Sequence, residues 1–160
     1  MVNSEAFEHS QVTSVYLPLA NPVEETIGVF DQCSSLASIT LPSWSGRMTT
    51  MFSRCTNLTI ADFGSTVVIG GTCFRDCSSL ETIILRSNTV ITVANAYAFL
   101  NTRIDGFESG GATIYVPSNL IDTYKTTNIW KSFYDSGYIS FVSIEGSQYE
   151  NYYADGTPVT

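Results

Sequence analysis

Four cysteines, Cys33, Cys55, Cys73 and Cys77, and a single histidine, His9, are the side chains from which this chain could build a nucleophile and base, a metal site or a disulfide framework. Each of those uses demands convergence. A thiol nucleophile needs an imidazole within hydrogen-bond reach and a third group to orient it, and no such third group is indicated around His9. A zinc site needs its ligands aimed at one point. Four cysteines permit three disulfide pairings. The spacing decides among these options, because Cys33, Cys55 and Cys77 stand 22 residues apart and so occupy one position of a repeat. The acidic pairs Glu24-Glu25 and Asp105/Glu108 lack the alternating Asp spacing of a calcium loop and read as solvated turns. No catalytic residue, metal site or cofactor is expected.

The elements that must carry these residues follow from the same period. Phe7, Phe30, Phe52, Phe74 and Phe99 are separated by 23, 22, 22 and 25 residues, with the three cysteines three residues after the middle three and Leu36, Leu58 and Leu80 three residues further on. Each unit then alternates apolar and polar, as in Ile39 and Leu41, Ala61 and Phe63, or Ile83 and Leu85, which is the signature of a strand with one buried face. The aligned cores read FDQCSSLASITLP, FSRCTNLTIADFG and FRDCSSLETIILR. Val67-Val68-Ile69-Gly70-Gly71 suits a second short extended segment and a turn. A unit this short cannot bury its own apolar face, but stacked units can. The expected fold is therefore a β-rich, right-handed solenoid of about five coils, 22–25 residues each, with a parallel sheet along one side. Equivalent residues then form ladders about 4.8 Å apart. Parallel Cβ vectors at that spacing exceed the roughly 3.8 Å that a disulfide prefers, so the three cysteines read as a buried thiol ladder. Cys73 packs beside the phenylalanine column. His9 falls one residue short of the thiol position and is expected in the interior or at an edge.

These units resemble the BspA-like leucine-rich repeats, which read approximately AFxxCxSLxxIxLPxxVxxIGxxAF. Ala98-Phe99 keeps the AF pair. Ala61-Asp62-Phe63 and Arg47-Met48-Thr49-Thr50-Met51 depart from the pattern. Residues 112–125 are similar to the closing element of such arrays, a strand ending at Pro117 followed by a short helix N-capped by Ser118, with Ile129, Trp130, Phe133 and Tyr134 lying across the last coil and a strand from Tyr138 to Ile144. The resulting division is a leucine-rich-repeat domain over 1–146, with repeats about 5–117 and a cap about 118–146, then a polar, tyrosine-rich tail over 147–160 read as a tail or linker. The start lacks a signal-peptide layout. Glu5-Ala6-Phe7 already belongs to a repeat, which favours a mature or excised piece of a larger protein.

Function is then expected on the surface. The middle residue of each strand points outward, and in register these form a column, Tyr16, Thr40, Asp62, Ile84 and Tyr115, the candidate binding face. It is flanked by Ser14, Ser38, Ile60, Thr82 and Thr113 on one side and Pro18, Pro42, Gly64, Arg86 and Pro117 on the other. With 7 basic and 15 acidic residues the net charge is −8 and the basic residues are scattered, which argues against nucleic acid. No apolar run reaches the roughly 18 residues of a membrane span, so no membrane insertion is expected. The resemblance implies a non-catalytic module that binds a host or bacterial surface protein, or a glycan, in a bacterial cell-surface or secreted adhesin-like protein. A structural or receptor-binding domain of a phage tail protein is the alternative. The oligomeric state is open.

Overall fold

The structure is a computed structural model that describes residues 2–18, 25–65 and 67–160; Glu24 of the first acidic pair lies outside the described residues. Each alternating run forms a strand. β1 (Ser14–Tyr16), β3 (Ser38–Leu41), β5 (Ile60–Phe63), β7 (Thr82–Leu85), β9 (Ala112–Val116) and β10 (Ile139–Ser143) lie in that order in one six-stranded sheet, every neighbouring pair parallel. The return segments β2 (Glu25–Ile27), β4 (Gly46–Thr49), β6 (Val67–Ile69) and β8 (Thr92–Val93) make a second parallel sheet of four. The chain is thus a parallel-sheet solenoid in which the coils that begin with β1, β3, β5 and β7 contribute one strand to each side. Even the irregular Arg47-Met48-Thr49 segment pairs in register, with Met48 buried.

The interior ladders run as the period requires. Val15, Ile39, Ala61, Ile83 and Ile114 are register partners. Phe7, Phe30, Phe52, Phe74 and Phe99 form a continuous stack with centroids 5.3, 5.6, 5.2 and 5.5 Å apart and ring planes within 16° of parallel. Offset stacking of this kind is a preferred aromatic geometry. The stack ends where α2 (Asn128–Asp135) places Trp130 and Phe133 against Phe99, at 5.7 and 5.8 Å.

The cap is built from α1 (Ile121–Thr126), α2 and β10. Ser118 does not act as an N-cap. It opens a single 3₁₀ turn over Ser118–Leu120 without a side-chain cap, and its N–H donates to the Glu145 carboxylate at 2.9 Å. The helix breaks at Thr127, whose backbone is extended. Tyr124 and Trp130 then reach the last return segment: the Ile91 N–H donates to the Tyr124 hydroxyl at 2.9 Å, and Trp130 Nε1 donates to the Ile91 carbonyl at 2.8 Å.

One periodic feature is invisible to hydrophobicity. His9, Gln32, Arg54, Asp76 and Asn101, each two residues after a phenylalanine of the stack, all have left-handed backbones with φ between 58° and 62°. Non-glycine residues in that region cost energy. The cost is offset because four of the five turn N–H groups donate to the next coil: His9 to Asp31, Gln32 to Ser53, Arg54 to Arg75 and Asp76 to Leu100, at 2.7–3.0 Å.

Candidate functional site

The thiols are committed to structure. Cys33, Cys55 and Cys77 each donate to the carbonyl of the phenylalanine one coil earlier, Phe7, Phe30 and Phe52, at 2.9–3.0 Å. All four cysteines are free and buried. Burial pushes Cys55 up to about 12 and holds Cys33, Cys73 and Cys77 above the ordinary thiol value too, so these are neutral thiols and poor nucleophiles. His9 corrects the expectation of an interior or edge residue: its left-handed turn turns the imidazole to solvent, beside Glu8 at 3.4 Å. Asp105 serves its own turn, accepting from the N–H groups of Asn101, Thr102 and Phe107. Glu25 accepts from the Thr49 hydroxyl.

The outer column is in the expected register, with Tyr16 beside Thr40, Thr40 beside Asp62, Asp62 beside Ile84 and Ile84 beside Tyr115. Its exposure is not as expected. Thr40, Asp62 and Ile84 are fully buried, although they point away from the core; only Tyr16, at 41%, and the half-buried Tyr115 meet solvent. For Asp62 the physical reason is the C-terminal segment, which packs across the sheet instead of trailing off as a linker. Arg86 and Asp62 form a two-pronged ion pair, Nε to Oδ1 at 2.8 Å and Nη2 to Oδ2 at 2.9 Å. Arg86 also donates to the carbonyls of Tyr149 at 2.6 Å and Tyr152 at 3.0 Å, and Asp62 accepts from the Ala154 N–H at 2.8 Å. The Tyr149 ring meets Tyr115 edge-on at 4.8 Å, and the Arg86 guanidinium sits over the Tyr153 ring at 4.8 Å. Beyond this the tail turns back on itself, with Tyr152 bridged to Pro158 and Tyr153 N–H bonded to the Thr157 carbonyl.

Sequence reasoning missed this clamp, although a signal existed. Asp62 is the sole charge in the outward column, Arg86 the sole charge in the flanking one, and they fall in successive coils. The proline and glycine of that flank mark where coils approach closely: a Cβ on Gly64 would lie 2.2 Å from the Pro42 carbonyl oxygen.

The other flank stays partly open. Ser14, Ser38, Ile60, Thr82, Thr113 and Ser140 run in register across all six strands, none of them fully buried. At its far end Thr82, Thr113 and Ser140, with Glu81, Arg103 and Tyr138, line an open trough of about 330 Å³. Arg103 Nη1 donates to Glu81 at 3.3 Å along one wall.

The family model for the BspA-type leucine-rich-repeat region matches residues 1–128 in six copies. The chain belongs to the BspA-type leucine-rich-repeat family. Comparisons with curated proteins and with solved structures found no match. Leucine-rich-repeat solenoids are typically non-catalytic binding scaffolds, and the BspA type is generally associated with bacterial surface or secreted proteins. In this BspA-type protein no described helix is long and apolar enough to cross a membrane, and no group of three or more potential metal ligands occurs among the described residues.

Proposed function

We propose that this BspA-type chain is a non-catalytic binding module of a bacterial cell-surface or secreted adhesin-like protein, and that its partner is a protein or glycan of a host or bacterial surface. The observation that carries the reading is the row along the six-stranded sheet, hydroxyl-bearing at every position but Ile60, which ends in the trough between Glu81, Arg103 and Tyr138. Small-molecule and cofactor pockets are mostly apolar and enclosing. This trough is open and lined by hydroxyls, a charge pair and an aromatic ring, which suits a polar, extended ligand held by many hydrogen bonds. Solenoid faces are the surfaces that repeat proteins use for such contacts.

The test is a screen of the 160-residue chain on glycan and surface-protein arrays, repeated with Thr113→Arg, which fills the trough. The expected result is a reproducible binder whose affinity falls at least tenfold in the variant at unchanged thermal midpoint. Absence of any protein or glycan binder overturns the reading, and undiminished binding by Thr113→Arg removes the hydroxyl row as its site.

A further inference from the structure

The middle of the outer column is a charged surface that the chain itself covers. Asp62 is fully buried and the Arg86 side chain only 9% exposed. At the equivalent positions of other coils stand Tyr16, Thr40, Ile84 and Tyr115, and Pro18, Pro42, Gly64 and Pro117, so the coil itself requires neither charge. What the pair touches is main chain. The carbonyls of Tyr149 and Tyr152 and the N–H of Ala154 are groups that every peptide carries there, proline's missing N–H excepted. Two rings four residues apart add side-chain contacts, Tyr149 on Tyr115 and Tyr153 under the Arg86 guanidinium, while Tyr152 between them is 53% exposed. Main-chain hydrogen bonds supply affinity for a peptide while pockets for its side chains supply specificity, and here they hold a segment of turns and bends rather than an added strand.

The tail does not use everything this face offers. The Thr40 hydroxyl, in register beside Asp62, is buried without a hydrogen-bond partner among the described residues. Beside Arg86 an open cavity of about 530 Å³ is lined by polar groups that include Ser65 and Asn88.

We infer that the face around Asp62 and Arg86 is a peptide-binding site for a turn-forming segment with aromatic side chains four residues apart, and that residues 149–154 are its resident, displaceable occupant. This goes beyond the reading above, since it concerns the covered column and not the hydroxyl row. A tethered segment competes at an effective concentration of about millimolar, so a partner segment enters when the tail's hold is weakened or when it binds more tightly than the tail.

Ala154→Pro removes the N–H that Asp62 accepts and leaves Asp62, Arg86 and Tyr115 in place. The full-length variant and the unmodified chain are titrated with a fluorescent synthetic peptide of residues 147–160 and with a scrambled peptide of the same composition. The native peptide is expected to bind Ala154→Pro at least tenfold more tightly than the unmodified chain, and the scrambled one at least tenfold more weakly than the native. Arg86→Lys on the Ala154→Pro background, which keeps the charge but loses the planar fork, should cost a further tenfold. Tyr153→Ser serves as a second way to loosen the tail. Equal binding to both chains, binding to neither, or equal binding of the scrambled peptide overturns the site. Loss of the cooperative thermal transition in both tail variants also overturns it, because the tail is then an integral part of the fold. No surface ligand enters this experiment, so its outcome is independent of the array screen.

Discussion

Cys33, Cys55 and Cys77 each donate a hydrogen bond to the carbonyl of a phenylalanine one coil earlier, so a side chain inside the core ties neighbouring coils as the strand ladders do outside it. A thiol suits that place because it is small, apolar enough to bury and still a donor. The same burial creates a pH dependence. Cys55 is pushed up to about 12, and Tyr124, buried in the cap, also to about 12. In the unfolded chain thiols ionise near their ordinary value of about 8.5 and tyrosine near 10. Above those values the unfolded state loses protons that the folded state keeps, so stability is fully present below about pH 8.5 and falls as pH rises toward 12, by about 1.4 kcal/mol per unit for each thiol. Urea midpoints measured at pH 8, 9.5 and 10.5 should therefore drop progressively; a midpoint constant to pH 10.5 contradicts the buried-thiol assignment. The three-thiol column was legible from spacing alone. Its acceptors were not, since a period says which residues stack and not which atoms meet. His9 was misplaced for a related reason: a column of left-handed turns leaves no hydrophobic trace.

The elements divide by what holds them. Strands and cap were legible because they are held by apolar periodicity, which sequence displays directly. The tail was not, since a charge clamp and two rings hold a segment that has no period of its own. In the cap, legible position still left the critical contact hidden. The Ile91 N–H and carbonyl, at the end of the four-stranded sheet, are satisfied by the Tyr124 hydroxyl and Trp130 Nε1. Tyr124→Phe keeps the ring and its packing on Trp130 and Phe141 but strips a buried N–H of its acceptor. Leaving such a donor unsatisfied costs about 1–3 kcal/mol. The variant should show that loss in denaturant unfolding, together with faster hydrogen exchange at the Ile91 amide. A change below about 0.5 kcal/mol with unaltered exchange would mean that the cap is seated by packing alone.

For the whole molecule, stability is distributed along an axis. In a solenoid each coil touches only its neighbours, so stability approximates a sum of coil and interface terms. The two ends of this chain differ. At the C-terminal end Trp130 and Phe133 close the phenylalanine stack, and the tail joins Asp62, Arg86 and Tyr115, which lie in three successive coils. At the other end Phe7 stacks on Phe30 alone and is 37% exposed. Phe52, by contrast, is fully buried between Phe30 and Phe74. Phe52→Ala opens a cavity and should cost roughly 3–5 kcal/mol, whereas Phe7→Ala, losing a half-exposed ring, should cost well under half of that. Local opening therefore starts at the first coil and spreads inward, a graded pattern of the kind that native-state exchange detects. The thiols report it without any further label. Cys33 is covered by the first coil through its bond to the Phe7 carbonyl, while Cys55 and Cys77 lie one and two coils deeper. Under native conditions at pH 8 with excess alkylating agent, peptide mapping by mass spectrometry should find Cys33 modified first, Cys55 next, and Cys73 and Cys77 last. Modification of all four at one common rate would show a single cooperative unit instead, with the cap and the strapped tail setting the stability of the first coil as much as of the last.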